Sequence, residues 1–393
     1  MGAGLKPSAY TKAGPHLDAE SATTGTSENR QNSTEKRLAA FLRRDTIPRV
    51  MRLLARGCLF IGSWLFFSIP VLAQEQKFAS LGEFKLESGE MIHDCRVGYR
   101  TFGKLNADGS NAILFPTWAN GTTDQLQHTI GPRTGVVDYA DYFVILIDAL
   151  ANGVSSSPSN SAAQPRMKFP KITVRDMVNS QYQVATGTLG LRHLKAVVGT
   201  SMGGMQTFQW MVSYPEFMDK AVPIVGSPRL APYDLLHWQA EIDAIETNPA
   251  WNHGDYTENP SRLLEFEYGE MLLNTPTQYN RTHTREQVFE SLAKAKDAVT
   301  TDANNKIRQV EAMMGLDVSD HFGGSMERAA AAVKAKVFVI VDTYDHVVTP
   351  EPARKFAALL HAPILELDSD CGHLGPSCED VKVSAAVAAF LQK

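Results

Sequence analysis

Residues 195–210 read KAVVGTSMGGMQTFQW. The small and β-branched run from Lys195 to Gly199 predicts a short buried strand, and the residues from Met202 onward predict a helix. Between them Gly199, Gly203 and Gly204 crowd around one serine, Ser201. The pentapeptide Gly199-Thr200-Ser201-Met202-Gly203 has the form G-x-S-x-G, which on its own arises by chance in roughly one chain in ten of this size. Its placement carries the information. A strand-to-helix elbow with small neighbours permits the strained turn that lifts a nucleophile above the carboxyl ends of parallel strands. The helix behind it presents its N-terminus to developing negative charge.

Short apolar runs recur on both sides of the elbow: NAILFPT (111–117), YFVILIDAL (142–150), KAVPIVG (220–226), KAKVFVIVD (334–342) and APILELD (362–368). Each has the length and composition of a strand buried on both faces. CRVGYRTFG (95–103) alternates, as a half-exposed strand does. Between the runs, Val174, Met177, Val178, Tyr182 and Ala185 are spaced like the inner face of a helix, and a last helix from Glu379 carries Val381, Val383, Val387 and Phe390. Strands alternating with helices predict an α/β fold with a mostly parallel sheet covered on both sides. Between Ser227 and Val333 the pattern turns helical and charged. We therefore expect a core of residues 78–227 and 335–393 with a helical cap, 228–334, inserted into it.

A serine hydroxyl needs a base, and on this architecture the order along the chain is serine, acid, histidine. His373 follows the last predicted strand in LELDSDCGHLGPSCE and is the expected base. His346 sits in the turn after the preceding strand and His361 before the last one, where neither competes well. The acid should follow the strand before His373, where VFVIVDTYDHVVTPEPA offers Asp342 and Asp345. Asp345, beyond the strand in a turn closed by Pro350, is preferred, because the acid must orient the imidazole from a loop. Asp368 and Asp370 stand too close to His373 in sequence to reach it from the opposite side. An oxyanion hole needs two preorganised donors. The N–H of Met202 is one, and Ala119 in FPTWANGTT is the expected second, with Trp118 behind it. Trp118 serves equally well as a wall of the substrate pocket.

The bulk numbers exclude other classes. The chain has 393 residues, 44% of them hydrophobic, and a formal net charge of −5, so neither nucleic acid nor an anionic membrane surface is an expected partner. There is no G-x-G-x-x-G or Walker loop, no H-E-x-x-H and no paired C-x-x-C, so no cofactor and no metal is expected. Residues 1–50 lack apolar periodicity and are expected to be a disordered extension, with Met51 as the true start. Residues 51–73 read as a signal peptide, with Arg52 and Arg56 as its basic end, a short apolar run broken by Pro70, and Val71-Leu72-Ala73 as the cleavage site. An uncleaved anchor is the alternative, disfavoured by the length of the run. Export would place the mature protein in the periplasm or outside the cell. There a Cys371–Cys378 bridge could form; the alternative is three free thiols, Cys95 among them.

From about Gly98 onward the sequence resembles the homoserine O-acetyltransferase family of α/β-hydrolases. The resemblance is carried by NAILFPTWANGT, IGPRTGVVDYADYFVILIDALANGVSSSPSN, FPKITVRDMVNSQ, AVVGTSMGGMQTFQWMVSYPE and, in the cap, AIETNPAWNHGDY. It implies Ser201, Asp345 and His373 as nucleophile, acid and base, and a homodimer formed through the cap. It also shows departures. Ile242 stands near the place of the family's cap arginine, SRLLEFEYGEMLLN replaces a glycine–leucine–alanine–arginine stretch, and Ala119 replaces leucine. Those regions shape the acceptor pocket, and a secreted protein would meet little acetyl-CoA. The expectation is therefore a serine hydrolase acting on a small acyl substrate with water as acceptor. An O-acyltransferase is the alternative.

Overall fold

The computed structural model describes residues 74–132, 135–261, 263–295 and 301–393. The expected extension and signal peptide lie outside the described residues.

Among the described residues nine strands form one sheet: β1 Lys77–Lys85, β2 Met91–Phe102, β3 Ala112–Pro116, β4 Phe143–Ile147, β5 Leu194–Thr200, β6 Met218–Ile224, β7 Lys336–Val337, β8 Val339–Asp342 and β9 Ile364–Leu367. They lie in the order β1-β2-β4-β3-β5-β6-β8-β9, with β7 also paired to β6. The β1–β2 hairpin and the β2–β4 contact are antiparallel, and every other pairing is parallel. The apolar runs are explained by burial on both faces. Ala112, Leu114, Ile145, Ile147 and Val197 feed one core cluster, while their neighbours Ile113, Phe115, Val144, Leu146 and Val198 feed the other.

The helices of eight or more residues, with two of seven, are α1 Val174–Gln183, α2 Met202–Ser213, α3 Pro232–Glu246, α4 Leu263–Leu273, α5 Pro276–Thr282, α6 Arg285–Ala295, α7 Ala303–Met314, α8 Met326–Ala332, α9 Glu351–Leu359 and α10 Asp380–Gln392. Thr173 caps α1 through a reciprocal capping box with Asp176. The helix widens into a π-turn over Val184–Thr188, where the spacing of the apolar residues predicts a regular helix. Helices α3 to α8 form an insertion between β6 and β7. Within it, Trp251 of the AIETNPAWNHGDY motif packs with Ile245, Ala303 and Ile307, and its indole N–H donates to Asn304 at 2.8 Å. The run 334–342, expected as one strand, is divided at Phe338. Lys336 and Val337 pair with Lys220 and Ala221, whereas Ile340 pairs with Ile224.

Among the described residues no helix is long and apolar enough to cross a membrane.

Candidate active site

The elbow is held by close backbone packing. Ser201 has φ 59° and ψ −124°, a region that side chains seldom adopt. Its N–H donates to the Ile224 carbonyl at 2.9 Å and its carbonyl accepts from Met205 N–H at 3.0 Å, so strand β6 and helix α2 grip it from two sides. Glycine is required on both flanks. A Cβ at Gly199 would stand 2.1 Å from the Gly203 carbonyl oxygen, and one at Gly203 would stand 2.6 Å from that of Pro116.

The three residues expected from chain order converge. Ser201 Oγ lies 2.9 Å from His373 Nε2, and His373 Nδ1 lies 2.7 Å from Asp345 Oδ2. A proton on Nδ1 faces the carboxylate, which leaves Nε2 to accept from the serine hydroxyl. Asp345 and His373 are buried. The other oxygen of Asp345 accepts from the N–H groups of Val347 at 2.8 Å and Val348 at 2.9 Å, so the turn that carries the acid also fixes its orientation. Asp342 is placed differently. It ends β8, accepts from Tyr344 N–H at 2.9 Å, and has its second oxygen buried without a partner. Burial first, then the Asp345 and Glu379 charges, push its carboxyl up to about 6. His346 and His361 are exposed, and Asp370 pairs with Arg281 of α5.

Trp118 and Ala119 line the same cavity as Ser201 and His373. Their loop is clamped around them. Thr117 N–H donates to Ile147, Asn120 N–H to Gln309 Oε1 and Gly121 N–H to the Trp118 carbonyl. Among the described residues no acceptor is found for the N–H of Ala119, Trp118 or Met202. The Trp118 indole packs on Gly121, where a Cβ would meet its Nε1 at 2.4 Å.

Much of this clamp was not expected from the sequence. Gln206 of α2 donates to the Thr117 carbonyl at 3.0 Å, and Gln309 of α7 donates to that of Leu150 at 3.0 Å. Asp148 at the end of β4 gathers Thr123 N–H, the Thr123 hydroxyl, Asn152 and Gln76 within 3.0 Å. Buried glutamines on helices that leave a strand end were a signal available in QTFQW, but their partners were not.

The cavity has a volume of about 680 Å³. Core loops supply part of its wall, and the insertion supplies Trp238 and Glu241 from α3, Gly269, Leu272 and Leu273 from α4, and Lys306 from α7. Leu272 and Leu273 belong to the stretch that departs from the family pattern. Ile242 is buried in the core cluster and contributes no charge. Among the described residues no group of three or more His, Cys, Asp or Glu side chains converges as a metal site would need.

Cys371 and Cys378 are bridged, closing a loop around His373. Among the described residues Cys95 is the free thiol, buried and pushed up to about 12 by that burial, so a mild reductant acts on the bridge and leaves Cys95 as it is. Reducing it is expected to lower stability by about 2 kcal/mol and to lower turnover by loosening the His373 turn. Melting curves and ester turnover with and without a phosphine reductant check this; unchanged values would mean that the bridge does not hold the turn.

The family model for the α/β-hydrolase fold matches residues 118–376, from the Trp118 loop through the His373 turn. The chain belongs to the α/β-hydrolase family. It is 31% identical over 310 residues to an ethyl acetate hydrolase of Pseudomonas veronii, covering 75% of this chain and 88% of that one. It is 30% identical over 354 residues to a homoserine O-acetyltransferase of Methanococcoides burtonii, covering 79% and 72%. The solved structure of an acetylester hydrolase from Corynebacterium glutamicum superposes with a TM-score of 0.75 at 28% identity, covering 81% of this chain and 96% of that one. This α/β-hydrolase is thus an enzyme of the esterase or acetyltransferase-like kind.

Proposed function

We propose that this α/β-hydrolase is an exported serine hydrolase that cleaves a small ester, thioester or lactone through an acyl-serine intermediate. The observation that carries the reading is the unbroken chain from Ser201 Oγ through His373 to Asp345 at the wall of a cavity. Ser201 Oγ attacks the substrate carbonyl while its proton passes to His373 Nε2. The tetrahedral oxyanion is held by the N–H groups of Met202 and Ala119. The C–O bond to the alcohol breaks, and the alcohol leaves with the proton from His373. Water then attacks the acyl group as His373 takes its proton, and the carboxylic acid leaves as Ser201 recovers its hydrogen. Asp345 keeps the imidazole in the tautomer that both halves need. The ester hydrolases among the relatives support water as the acceptor.

Export is supported by the pattern of residues 51–73 and by the Cys371–Cys378 bridge, which suits an oxidising compartment. A homodimer through the insertion is supported by Leu236, Met271 and Phe289, exposed apolar side chains on α3, α4 and α6.

The second reading, an O-acyltransferase, is favoured by the homoserine O-acetyltransferase relative. A transferase must hold its alcohol well enough to outcompete water at about 55 M, through oriented polar contacts and an excluded solvent path. Homoserine would need a cation opposite its carboxylate, and the buried Ile242 supplies none at the family's position. Acetate release from p-nitrophenyl acetate or acetyl-CoA is therefore expected to be unchanged by added L-homoserine. Formation of O-acetylhomoserine faster than free acetate would establish the transferase instead.

A further inference from the structure

The end of the sheet opposite Ser201 carries a second depression, of about 410 Å³, where strands β5, β6 and β7 begin. Lys195, Lys220, Lys334 and Lys336 line it, about 20 Å along β5 from the elbow. The carboxylate side chains of the lining are Asp219 and Glu216. Asp219 is engaged by His193 Nε2 at 2.8 Å and by Lys195 Nζ at 3.4 Å. Among the described residues no carboxylate side chain forms an ion pair with Lys220, Lys334 or Lys336. Lys220 is the unusual member. It is 3% exposed, and Lys336 is its partner in register on β7, so the two side chains leave the sheet on the same face. Lys220 Nζ donates to the Leu391 carbonyl at 2.6 Å and lies 5.8 Å from the ring centroid of Phe390. A carbonyl and a ring face solvate this cation without neutralising it. Burial first, then the Lys195 and Lys336 charges, hold the Lys220 ammonium below the usual lysine range, with Asp219 acting the other way.

We propose that this depression is a binding site for a phosphate-bearing ligand, with Lys220 as its buried contact and Lys334 and Lys336 at its exposed rim. The charge calls for an anion of more than one unit. Three ammonium groups stand there, and Glu216 is the lining carboxylate that His193 and Lys195 do not already engage. The donors favour phosphate over carboxylate. A carboxylate is held best by the planar fork of an arginine, and among the described residues no arginine lines the depression. Ammonium groups act as point charges, which suits oxygens that radiate in several directions. The volume leaves room for two phosphate groups. An anion bound against Lys220 and Lys336 offsets their mutual repulsion, so binding also stabilises the fold. The site lies apart from the Ser201 cavity, and the proposal stands independently of the ester-hydrolase reading.

Inorganic pyrophosphate is the probe, titrated into the full chain by calorimetry at fixed ionic strength. Saturable binding at one site is expected, weakened at least about ten-fold by Lys334→Gln and by Lys336→Gln. Both side chains are exposed, and Lys336→Gln removes a like charge beside Lys220, so neither variant should melt lower than wild type. Turnover of p-nitrophenyl acetate should be the same in wild type and both variants, with or without pyrophosphate. Phosphate could be offered free or on a lipid surface, and sedimentation with phosphatidylcholine vesicles, with and without cardiolipin, separates the two. Cardiolipin-dependent sedimentation lost in the variants assigns the phosphates to a lipid surface. Pyrophosphate binding without such sedimentation assigns them to a soluble ligand. No saturable pyrophosphate binding to wild type, or binding that stays within about two-fold of wild type in both variants, overturns the proposal and leaves the hydrolase reading in place. Pyrophosphate that binds and inhibits ester turnover equally in all three proteins would place it at the Ser201 cavity and overturn the proposal as well.

Discussion

Ser201→Ala is expected to lower turnover of a small acetyl ester by at least about 10⁴-fold with no change in melting temperature. The expectation comes from the geometry of the elbow. The alanine Cβ occupies the place of the serine Cβ, so the unusual φ of 59° and the backbone bonds to the Ile224 carbonyl and from the Met205 N–H are unaffected. What disappears is the Oγ that stands 2.9 Å from His373 Nε2. A fluorophosphonate should label the wild type at Ser201 and leave the variant unlabelled, and equal labelling of both would remove Ser201 from its role. His373→Ala should lose activity to a comparable extent, since nucleophile and base act as one unit.

The second large effect separates two aspartates three residues apart. Asp345→Asn is expected to cost on the order of 10⁴-fold in kcat, because an amide donor facing Nδ1 favours the wrong imidazole tautomer. Asp342→Asn keeps the acceptor for Tyr344 N–H and touches neither Ser201 nor His373, so its loss of activity should be far smaller. Its effect should appear in stability. The Asp342 carboxyl is raised from 3.8 to about 6, chiefly by burial, so the folded protein holds a proton there that the unfolded chain has already released. Wild-type stability from this group is complete below about pH 4 and falls as pH rises through about 6. Asp342→Asn removes that dependence. It should therefore be more stable than wild type at pH 7, by on the order of 2 kcal/mol, with the difference closing toward pH 4. Denaturant melts at both pH values test this. Greater damage to kcat from Asp342→Asn than from Asp345→Asn would mean that the acid is misassigned.

The convergence of Ser201, Asp345 and His373 was legible in the sequence because each follows a recognisable strand end, and chain order then suggests the roles proposed for them. The elbow was legible because crowding at Gly199 and Gly203 leaves no room for other residues. The contacts that arm the site were less so. Asn120 meets Gln309 across 189 residues and Thr117 meets Gln206 across 89, and a helical pattern shows which face is buried without showing what it faces. Glu241 and Lys306 illustrate the same limit. Each reads as an ordinary charged residue of a cap helix, and only the packing of α3 against α7 makes them a buried pair. The break at Phe338 was hidden for another reason. A continuous apolar run says nothing about which partner residue each N–H will find, and here the pairing with β6 is interrupted.

The most direct test of the account is to trap the intermediate. Enzyme turning over p-nitrophenyl acetate would be quenched in acid, digested and mapped by mass. One acetyl group on the peptide that contains Ser201, absent from the Ser201→Ala variant and lost on incubation in plain buffer before the quench, is the predicted result. Acetyl carried on another residue, or turnover by wild type with no acetylated Ser201 peptide at any quench time, would contradict the acyl-serine mechanism.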